Sequence, residues 1–554
     1  MIIGLDVGGT HTDAVLLSDF KVKEKVKVTT DVSDLFTTIV SCLEKLLKDN
    51  KPEHIKRIVL STTLTTNAIV QQNIEKIGII VSAGPGIDPE FFRTHKDFYC
   101  VAGSIDHRGR QREPINENEI KQVGEKLKKN GIKNIGVIGK FCVKNPTHEI
   151  LIKNILKNDF KKIFLGHNIS GNLNFPRRIS TTYLNALVYN VHKKFFNGVK
   201  KSLKEKGLKS PIKILKADGG TMSLESSMLF PSQSILSGPS ASVIGSTIYA
   251  PENKDTLVLD IGGTTTDIAI LVNKTPLLEP IGIKTGNYKT LIRSLKTYSI
   301  GIGGDSHVRV ENNNIIIGPK RLGNAMAFNG PCPTPTDALV ALGLMKHGNK
   351  EKALKAIKDI AEKLDMPQDK TAKKIFKQTC STILKHAFNM VKTINKQPVY
   401  TVHEFLEGYQ VNIKKILLLG GPAKYFTDEI QKISKIKTKA VKFSSVANAM
   451  GAGLARTTCS VSLLVDTEQG IATAFEENFA ESVAKNYIKE DVLKTAYNLL
   501  KKKALKLGAD IENMEFETTE FQEFNIVRNF SFKGKIFKTK VQIKPGLIKG
   551  YKDI

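Results

Sequence analysis

The chain of 554 residues carries 83 Lys and Arg against 54 Asp and Glu, so its formal net charge is +29, and 41% of its residues are hydrophobic. This length and composition predict a globular protein of about three or four folding units and exclude a disordered or collagen-like chain. The basic residues are mostly Lys in helix-like segments without interleaved aromatics or a nucleic-acid-binding motif, so no nucleic-acid function is expected.

Membrane insertion and structural cysteines are not expected either. No apolar run approaches the roughly 20 residues that span a bilayer, and no basic, hydrophobic leader pattern precedes the first strand-like segment. The six cysteines never fall as C-x-x-C, which argues against a zinc knuckle or a disulfide framework. We therefore expect a cytoplasmic protein with no membrane partner.

The first predicted element is a β-hairpin that occurs twice. A strand at residues 2–5 leads into Asp6-Val-Gly-Gly-Thr-His-Thr-Asp13, and a strand at 257–259 leads into Asp260-Ile-Gly-Gly-Thr-Thr-Thr-Asp267. Each copy predicts two strands joined by a turn rich in Gly and Thr. One copy alone is typical of an ordinary hairpin. Two copies with matching Asp, Gly and Thr positions instead indicate a repeated function.

The repeat provides the groups that a nucleoside triphosphate needs, which are close backbone N–H donors, hydroxyls and a carboxylate for hydrated magnesium. Asp6 and Asp260 are predicted to position the phosphates and to hold Mg²⁺, although capping of the turn is the alternative. The other residues predicted to contact the phosphate chain of ATP are Gly8, Gly9, Thr10, Thr12, Gly262, Gly263, Thr264, Thr265 and Thr266. Of these, Thr10 and Thr264 are expected to act in catalysis beside the two aspartates.

Strands and helices alternate along the rest of the chain, which predicts α/β layers. The predicted strands lie at 58–60, 77–81, 135–138, 163–165, 212–215 and 416–419, and the clearest helix at 371–396. A helical stretch around 476–507, followed by alternating segments near 513–528 and 530–543, predicts a small accessory α+β domain. The expected domains are therefore 1–175, 176–459 and 460–554.

The two hairpins resemble the phosphate 1 and phosphate 2 motifs of the superfamily of actin, sugar kinases and heat-shock-cognate ATPases. Gly420-Gly421, directly after the last predicted strand, is similar to its adenosine motif, although such a sequence is also typical of a plain strand-to-helix turn. The resemblance implies a two-lobed actin-like ATPase fold, in which a ribonuclease H-like unit is duplicated.

Further motifs resemble the hydantoinase A and 5-oxoprolinase family, which includes N-methylhydantoinase A and the acetone carboxylase beta subunit. Ser61-Thr-Thr-Leu-Thr-Thr-Asn-Ala68 is similar to the family's G-T-T-x-A-T-N-A, and the sequence from Arg178 to Ala186 to its R-x-S-T-T-x-x-N-A. Shorter matches follow in order, at 237–239, 300–306 and 447–452. The chain departs from the family at Asp305, which stands where a third glycine is usual, and at 325–332.

The family resemblance implies ATP-dependent opening of a cyclic amide such as 5-oxoproline or a hydantoin, with a B-type partner subunit. Thr63, Thr66, Asn67 and Arg178 are predicted to bind the substrate, with helix capping for the first three and a surface ion pair for Arg178 as alternatives. Gly303 and Gly304 are predicted to line the nucleotide cleft, where a plain loop is the alternative. A small-molecule kinase and an ATP-dependent activator of another enzyme are the alternative functions.

Overall fold

The computed structural model describes residues 1–19, 21–31, 33–70, 75–279, 281–396 and 409–551, with the side chains of Asn67, Val70 and Phe475 excepted. The strands are β1 Ile2–Val7, β2 His11–Ser18, β3 Lys21–Thr29, β4 Arg57–Thr62, β5 Ile77–Ser82, β6 Phe98–Val101, β7 Ser104–Ile105, β8 Gln111–Glu113, β9 Asn134–Gly139, β10 Lys162–Leu165, β11 Ile212–Leu215, β12 Thr221–Ser223, β13 Asp255–Ile261, β14 Thr266–Val272, β15 Thr275–Pro276, β16 Lys284–Thr285, β17 Tyr288–Lys289, β18 Thr297–Ile300, β19 Val308–Glu311, β20 Asn314–Ile317, β21 Ile413–Leu419, β22 Thr438–Ala440, β23 Ser460–Asp466, β24 Ile471–Ala474, β25 Phe479–Ser482, β26 Phe516–Arg528 and β27 Ser531–Ile543.

The helices alternate with these strands over most of the chain. They are α1 Leu35–Leu47, α2 Leu64–Val70, α3 Glu117–Lys129, α4 Thr147–Leu156, α5 Gly166–Ile169, α6 Phe175–Glu205, α7 Leu224–Leu229, α8 Ser237–Thr247, α9 Pro335–Ala341, α10 Lys350–Leu364, α11 Gln368–Asn395, α12 Ala423–Ser434, α13 Ala447–Leu454 and α14 Lys489–Lys506. Within the described ranges, none of them combines the length and the apolar character needed to cross a bilayer.

The first large sheet has the strand order β12-β11-β4-β1-β2-β3. β1 pairs antiparallel with β2 and parallel with β4, and β4 pairs parallel with β11. β1 and β4 are buried along their whole length because they are central strands. β3 lies at the edge and alternates exposed and half-buried residues, with Lys on its exposed positions, as suits an unpaired edge.

The second large sheet repeats this plan. β13 pairs antiparallel with β14 and parallel with β21, β21 continues into β22, and β14 pairs antiparallel with β18 on its other side. Both sheets therefore contain a hairpin, a third antiparallel strand beyond it and parallel strands on the opposite side. This duplication confirms the predicted two-lobed α/β fold with repeated ribonuclease H-like units.

Helices α8 and α13 cross between the two sheets at glycine contacts. A Cβ on Gly245 would lie 2.2 Å from the carbonyl oxygen of Ala447, and one on Gly451 would lie 2.1 Å from that of Ala241. α13 also packs on β1, because a Cβ on Gly4 would lie 2.0 Å from the carbonyl oxygen of Ala449. One hydrophobic cluster contains residues of both helices and both sheets. This helix pair therefore fixes how the two repeats face each other.

Two smaller units extend from this centre. Strands β5, β6, β9 and β10 form a parallel sheet of order β10-β9-β5-β6. The last part of the chain forms the sheet β25-β24-β23-β27-β26, against which α14 packs in a hydrophobic cluster of its own.

The predicted elements agree with most of the observed ones. The helix predicted at 371–396 is present as α11, and the two alternating segments are present as β26 and β27. The helix predicted from 476 begins only at Lys489, because residues 479–482 pair with β24 as strand β25. The first sheet also includes β11 and β12, which lie after residue 175, and the three-domain division stays a prediction.

Candidate functional site

The two repeated hairpins have the same turn. The amide N–H of Gly8 donates to the carbonyl oxygen of His11 at 3.1 Å, and that of Gly262 donates to the carbonyl oxygen of Thr265 at 2.9 Å. In register, Asp6 is opposite Asp13 and Asp260 is opposite Asp267. The sequence repeat is therefore a repeat of backbone geometry as well.

The carboxylates of both hairpins lie within electrostatic reach of one another. Burial, together with the neighbouring carboxylates of Asp13 and Asp260, raises the pKa of Asp6 to about 6 against the opposing effect of Ser61 and Asn448. Burial likewise raises the pKa of Asp267 to about 7, reinforced by Asp260 and Asp6. Lys27 balances part of this charge, since its Nζ donates to Oδ1 of Asp13 at 2.8 Å. The hairpins thus meet at a buried, acidic centre that a cation would stabilise.

Two helix residues hold Asp260 in place. Ser242 on α8 donates its hydroxyl to Oδ2 of Asp260 at 2.5 Å, and Asn448 on α13 donates from Nδ2 to the same oxygen at 3.2 Å. The Asn448 amide also favours the ionised form of Asp6, whose pKa it lowers against the effect of burial. Asn448 is part of the sequence motif at 447–452, and Ser242 lies three residues after the motif at 237–239, but neither residue was predicted to have a role. Their position depends on the crossing of α8 and α13.

The acidic centre fits a magnesium ion that is shared with phosphate and water. Mg²⁺ usually binds through one or two carboxylates and keeps several waters. Oδ1 of Asp6 is buried and has no hydrogen-bond partner among the described residues. In the same part of the chain, no group of three or more His, Cys, Asp or Glu side chains is arranged to hold a metal ion alone. Asp6 and Asp260 would therefore hold the ion together with phosphate oxygens.

Two glycine turns flank the second hairpin. The N–H groups of Gly304 and Asp305 donate to the carbonyl oxygens of Gly262 and Gly263, at 2.9 and 2.7 Å. Gly420 has a φ of 93°, and a Cβ there would lie 2.0 Å from the carbonyl oxygen of Ile261. This close approach requires glycine at 420. The predicted nucleotide-cleft glycines are thus brought together around one turn.

Open space lies in front of two glycines, one on each side of the acidic centre. A Cβ on Gly9 or on Gly421 would meet no atom within 4 Å. Thr10 and Thr264 are half-buried in the two turns, as is Thr265. The backbone at Gly9 and Gly421 is therefore accessible to a ligand.

Asp305, which departs from the family pattern, adds an ion pair beside the second turn. Its Oδ2 accepts from Nη2 of Arg321 at 3.2 Å. Burial lowers the pKa of His11 in the first turn, and Lys27 and Arg321 lower it further, while Asp305 raises it. The first turn and the Asp305–Arg321 pair therefore face each other.

Two of the predicted phosphate ligands do not fit that role. The hydroxyl of Thr12 is hydrogen-bonded to that of Thr30 at 2.9 Å, and the hydroxyl of Thr266 donates to the carbonyl oxygen of Ile302 at 2.7 Å. Both side chains are fully buried. They lie on the strands that follow the turns and point into the protein, so their hydroxyls stabilise the hairpins and do not line the cleft.

The predicted substrate-binding threonines lie at the end of β4, beside the first hairpin. The N–H of Thr63 donates to the carbonyl oxygen of Val7 at 3.2 Å. The hydroxyl of Thr66 accepts from the N–H of Leu236 at 3.1 Å, so it connects α2 to the segment before α8. Asn67 lies in α2, but its side chain is outside the described part of the structure.

Arg178 does not have either of the positions expected for it. Its side chain is fully buried in α6. Its guanidinium donates to the carbonyl oxygens of Gly139, Lys140 and Asn172 at 2.6, 2.7 and 2.7 Å. These donors stabilise the loop after β9, so Arg178 forms no surface ion pair and is not available to a substrate carboxylate.

Comparisons with known proteins agree with the motifs. The family Hydantoinase/oxoprolinase matches residues 178–461, and its Hydantoinase/oxoprolinase N-terminal region matches residues 2–160. The chain belongs to the hydantoinase/oxoprolinase family. Relatives include the acetophenone carboxylase gamma subunit of Aromatoleum aromaticum, 24% identical over 64% of this chain and 56% of its own length. The caprolactamase subunit alpha of Pseudomonas jessenii is 23% identical over 67% of this chain and 60% of its own length.

Solved structures of the same fold are similar over almost the whole chain. A nucleotide-free structure of acetone carboxylase, described for ATP-dependent acetone carboxylation, has a TM-score of 0.71 at 16% identity and covers 100% of this chain and 88% of its own. The ATP-dependent caprolactamase of Pseudomonas jessenii has a TM-score of 0.71 at 17% identity, covering 98% of this chain and 87% of its own. By sequence, in contrast, the matched part of this chain spans only 56% and 60% of the length of the two curated relatives named above.

Proposed function

We propose that this member of the hydantoinase/oxoprolinase family is the ATP-binding subunit of an amidohydrolase that phosphorylates the carbonyl oxygen of a cyclic amide. The observation that carries the proposal is the meeting of two hairpins with the same turn and register, in which Asp6 and Asp260 lie at one buried centre. Glycine turns with open backbone lie on both sides of that centre. Such an arrangement suits a phosphate chain with its magnesium ion.

Each group of residues at the site has its own proposed role in binding ATP or the substrate. Asp6 and Asp260 hold Mg²⁺, which neutralises phosphate charge when it is bound. The N–H groups of Gly8 and Gly262 close the two turns, and those of Gly9 and Gly263 donate to phosphate oxygens, with the hydroxyls of Thr10, Thr264 and Thr265 beside them. Gly421, which has open space in front of it, admits the nucleoside side of ATP, and Gly303, Gly304 and Gly420 pack closely around the second turn and hold it in place. Thr63 is assigned to the substrate in this proposal, and its position next to the first hairpin supports that role.

Phosphoryl transfer makes a stable amide reactive. The lactam oxygen attacks the γ-phosphorus and ADP leaves, which gives an O-phosphorylated imidate. One water then adds to the imidate carbon and the C–N bond breaks, leaving an acyl phosphate and a free amine, and a second water releases phosphate. Because the amide oxygen attacks without losing a proton, the first step needs positioning and charge neutralisation more than a general base.

A partner subunit is part of the proposal. Several related proteins are named as subunits of larger enzymes, including those of acetophenone carboxylase and caprolactamase. The described residues of this chain hold no metal-ligand cluster that would activate water. We therefore assign the hydrolytic steps to a site that is completed by a B-type subunit.

The test is Asp260→Asn, with Asp428→Asn as the matched control because Asp428 is exposed on α12. Wild type and variants are incubated with Mg-ATP, the B-type subunit and a panel of 5-oxoproline, hydantoin and caprolactam, and both ADP and ring-opened product are measured. Asp260→Asn should lose at least a hundredfold in ADP release while melting at the wild-type temperature or above, and the control should be unchanged. Full turnover by a folded Asp260→Asn protein would contradict the assignment.

The same assay separates the alternative functions. A stable phosphorylated product without ring opening would indicate a small-molecule kinase. ATP hydrolysis that no member of the panel alters, but that a second enzyme stimulates, would indicate an activator.

A further inference from the structure

A cavity lies at the opposite end of the first sheet from Asp6. The strands β1, β4 and β11 begin there, and residues 508–513 of the C-terminal unit face them across a cavity of about 560 Å³. Ile2 lines this cavity, and Asp6 follows four residues later, about 13 Å along the same strand. The cavity has the size of a small-molecule site and is separate from the proposed ATP cleft.

The lining of the cavity is basic. Its five cationic side chains are Lys56, Arg57, Lys200, Lys209 and Lys213. Its three carboxylates are Glu225, Asp510 and Glu512. Two ion pairs lie among them, Lys200 with Glu225 at 2.8 Å and Lys213 with Asp510 at 3.6 Å. Five positive charges against three negative ones leave an excess of two, which a dianion would balance.

Arg57 is buried in the wall with an unsatisfied donor. Only 7% of the residue is exposed, and its Nη2 donates to the carbonyl oxygen of Ala455 at 2.6 Å. Its Nε–H has no hydrogen-bond partner among the described residues. A buried donor without an acceptor costs roughly 1–3 kcal/mol, so an acceptor supplied by a ligand would be favourable here.

Lys213 is the second buried cation of the wall. Its side chain is 6% exposed, and its Nζ donates to the carbonyl oxygen of Gly508 at 2.6 Å. Burial and the positive charge of Arg57 lower its pKa to about 8. The carboxylate of Asp510 offsets part of the repulsion between these two cations, and a further anion between them would relieve the rest.

We propose that this cavity binds a small phosphorylated metabolite, with its phosphate on Arg57 and Lys213 and its organic part on Ile2, Leu224 and Ile548. A phosphate monoester carries close to two negative charges at neutral pH, which matches the excess of two positive charges. The three apolar residues line the same cavity, so they provide a surface for the organic part. This proposal is independent of the reaction at the ATP cleft.

Glycerol 3-phosphate is the probe, and succinate is the carboxylate control. Calorimetry is carried out with Mg-ADP in excess, so that the proposed nucleotide cleft is occupied, and acetylation of Lys209, which is exposed and lines the cavity, is followed by mass spectrometry. Glycerol 3-phosphate should bind and protect Lys209 from acetylation, and succinate should bind at least tenfold more weakly. No binding of glycerol 3-phosphate, or equal binding of succinate, would overturn the proposal.

Variants locate the bound phosphate. Lys213→Met should weaken binding at least tenfold, and so should the double variant Lys200→Ala with Lys209→Ala at the mouth of the cavity. Lys153→Ala, which removes an exposed cation on α4, is the matched control and should bind as wild type does. Melting temperatures accompany each measurement, and the double variant decides the matter if Lys213→Met does not fold. Wild-type affinity in the folded double variant would place the anion elsewhere.

Discussion

Asn448 donates a hydrogen bond of 3.2 Å to Asp260 and so joins helix α13 to the first strand of the second repeat. The same helix packs on the first strand of the first repeat through Gly4. The Asn448 amide therefore lies beside both aspartates and favours the ionised form of each. One neutral side chain thus contacts both halves of the candidate site, without adding charge to an acidic centre.

This relationship predicts that Asn448 positions the aspartates. Asn448→Ala should lower ATP turnover roughly tenfold to a hundredfold, because the orientation of Asp260 is lost, while it costs only about 1 kcal/mol of stability. Turnover and thermal melting are measured together. A folded Asn448→Ala protein with wild-type turnover would show that the bond has no part in catalysis.

Asn448→Asp separates positioning from packing. A further carboxylate would raise the pKa values of Asp6 and Asp260 by charge repulsion. The acidic limb of the pH profile of turnover should therefore move to higher pH in both variants, because both lose the amide that lowers the two pKa values, and it should move further in Asn448→Asp, where charge repulsion is added. An unchanged profile in both variants would leave Asn448 a structural residue only.

Replacement of Asp6 by Asn should raise the stability of the protein but abolish its activity. The pKa of Asp6 is raised from 3.8 to about 6 in the folded protein. The folded state therefore binds this proton more tightly than the unfolded state. Above about pH 6 the ionised carboxylate lowers the free energy of unfolding by its full amount. The two pKa units correspond to about 3 kcal/mol. Asp6→Asn removes this cost.

The measurement is thermal melting of the nucleotide-free protein over pH. Asp6→Asn should melt at a higher temperature than wild type at pH 7.5. The difference should shrink as the pH falls below about 6 and vanish only below about pH 3, where Asp6 is protonated in both the folded and the unfolded state. ATP turnover should be lost at every pH. A lower melting temperature for Asp6→Asn at pH 7.5 would show that the carboxylate has stabilising partners.

The duplicated fold could be predicted from the sequence because its signals are local. Each hairpin turn needs its own Gly, Thr and Asp residues, and each buried parallel strand is a short apolar run, so the pattern shows both copies. The register that places Asp6 opposite Asp13 and Asp260 opposite Asp267 follows from the same turn. The predictions of the fold class and of the two hairpins therefore need no information about tertiary contacts.

The remaining contacts depend on tertiary packing. Ser242 and Asn448 reach Asp260 only because glycines allow α8 and α13 to cross closely. The motif around Arg178 cannot predict that the guanidinium donates to three backbone carbonyl groups, because these belong to other segments of the chain. Thr266 belongs to the repeat by sequence, but its hydroxyl points to Ile302 because it lies on the strand after the turn.

Gly9 and Gly303 give a matched pair of predictions for the cleft. A Cβ on Gly9 would meet no atom within 4 Å, whereas one on Gly303 would lie 2.6 Å from the carbonyl oxygens of Gly262 and Gly263. Gly303→Ala should therefore destabilise the fold by roughly 1–3 kcal/mol. Gly9→Ala should keep wild-type stability but weaken Mg-ATP binding, because its methyl group occupies the space of the phosphates.

Melting with and without millimolar Mg-ATP distinguishes these two effects. Wild type should be stabilised by Mg-ATP through mass action. Gly9→Ala should start from the same melting temperature and gain less, and Gly303→Ala should start lower. If Gly9→Ala is stabilised by Mg-ATP as much as wild type is, the phosphates do not lie over the first turn.

The hairpin of β26 and β27 predicts where a partner subunit docks. Phe530 is fully exposed at its tip, and Phe524, Val527 and Phe532 are each more than half exposed around it. Phe530 also has a φ of 58°, a conformation that is unfavourable for a bulky residue. Exposed aromatic residues in a cluster are typical of protein interfaces, where they bind in pockets of the partner.

We expect the partner to be an acidic protein with an apolar pocket. The chain carries a net charge of +29, so attraction to an acidic protein would favour the encounter. The proposed hydrolytic subunit is the candidate, since the ring-opening steps need a site that the described part of this chain does not complete. Phe530→Ser with Phe532→Ser should therefore abolish co-purification with the B-type subunit and uncouple ATP hydrolysis from ring opening. ATP binding should remain, because the proposed cleft uses other residues.

Phe91→Ser is the matched control, because Phe91 is 84% exposed and lies outside the hairpin. It should leave both co-purification and coupling unchanged. Sedimentation of the isolated chain and of the double variant tests whether the hairpin instead pairs two copies of this chain. Loss of a dimer in the double variant, with normal binding of the B-type subunit, would contradict the docking prediction. Sustained ring opening by the isolated chain, shown free of other proteins by mass spectrometry, would contradict the need for a partner, because the phosphorylated lactam would then be hydrolysed without a shared site.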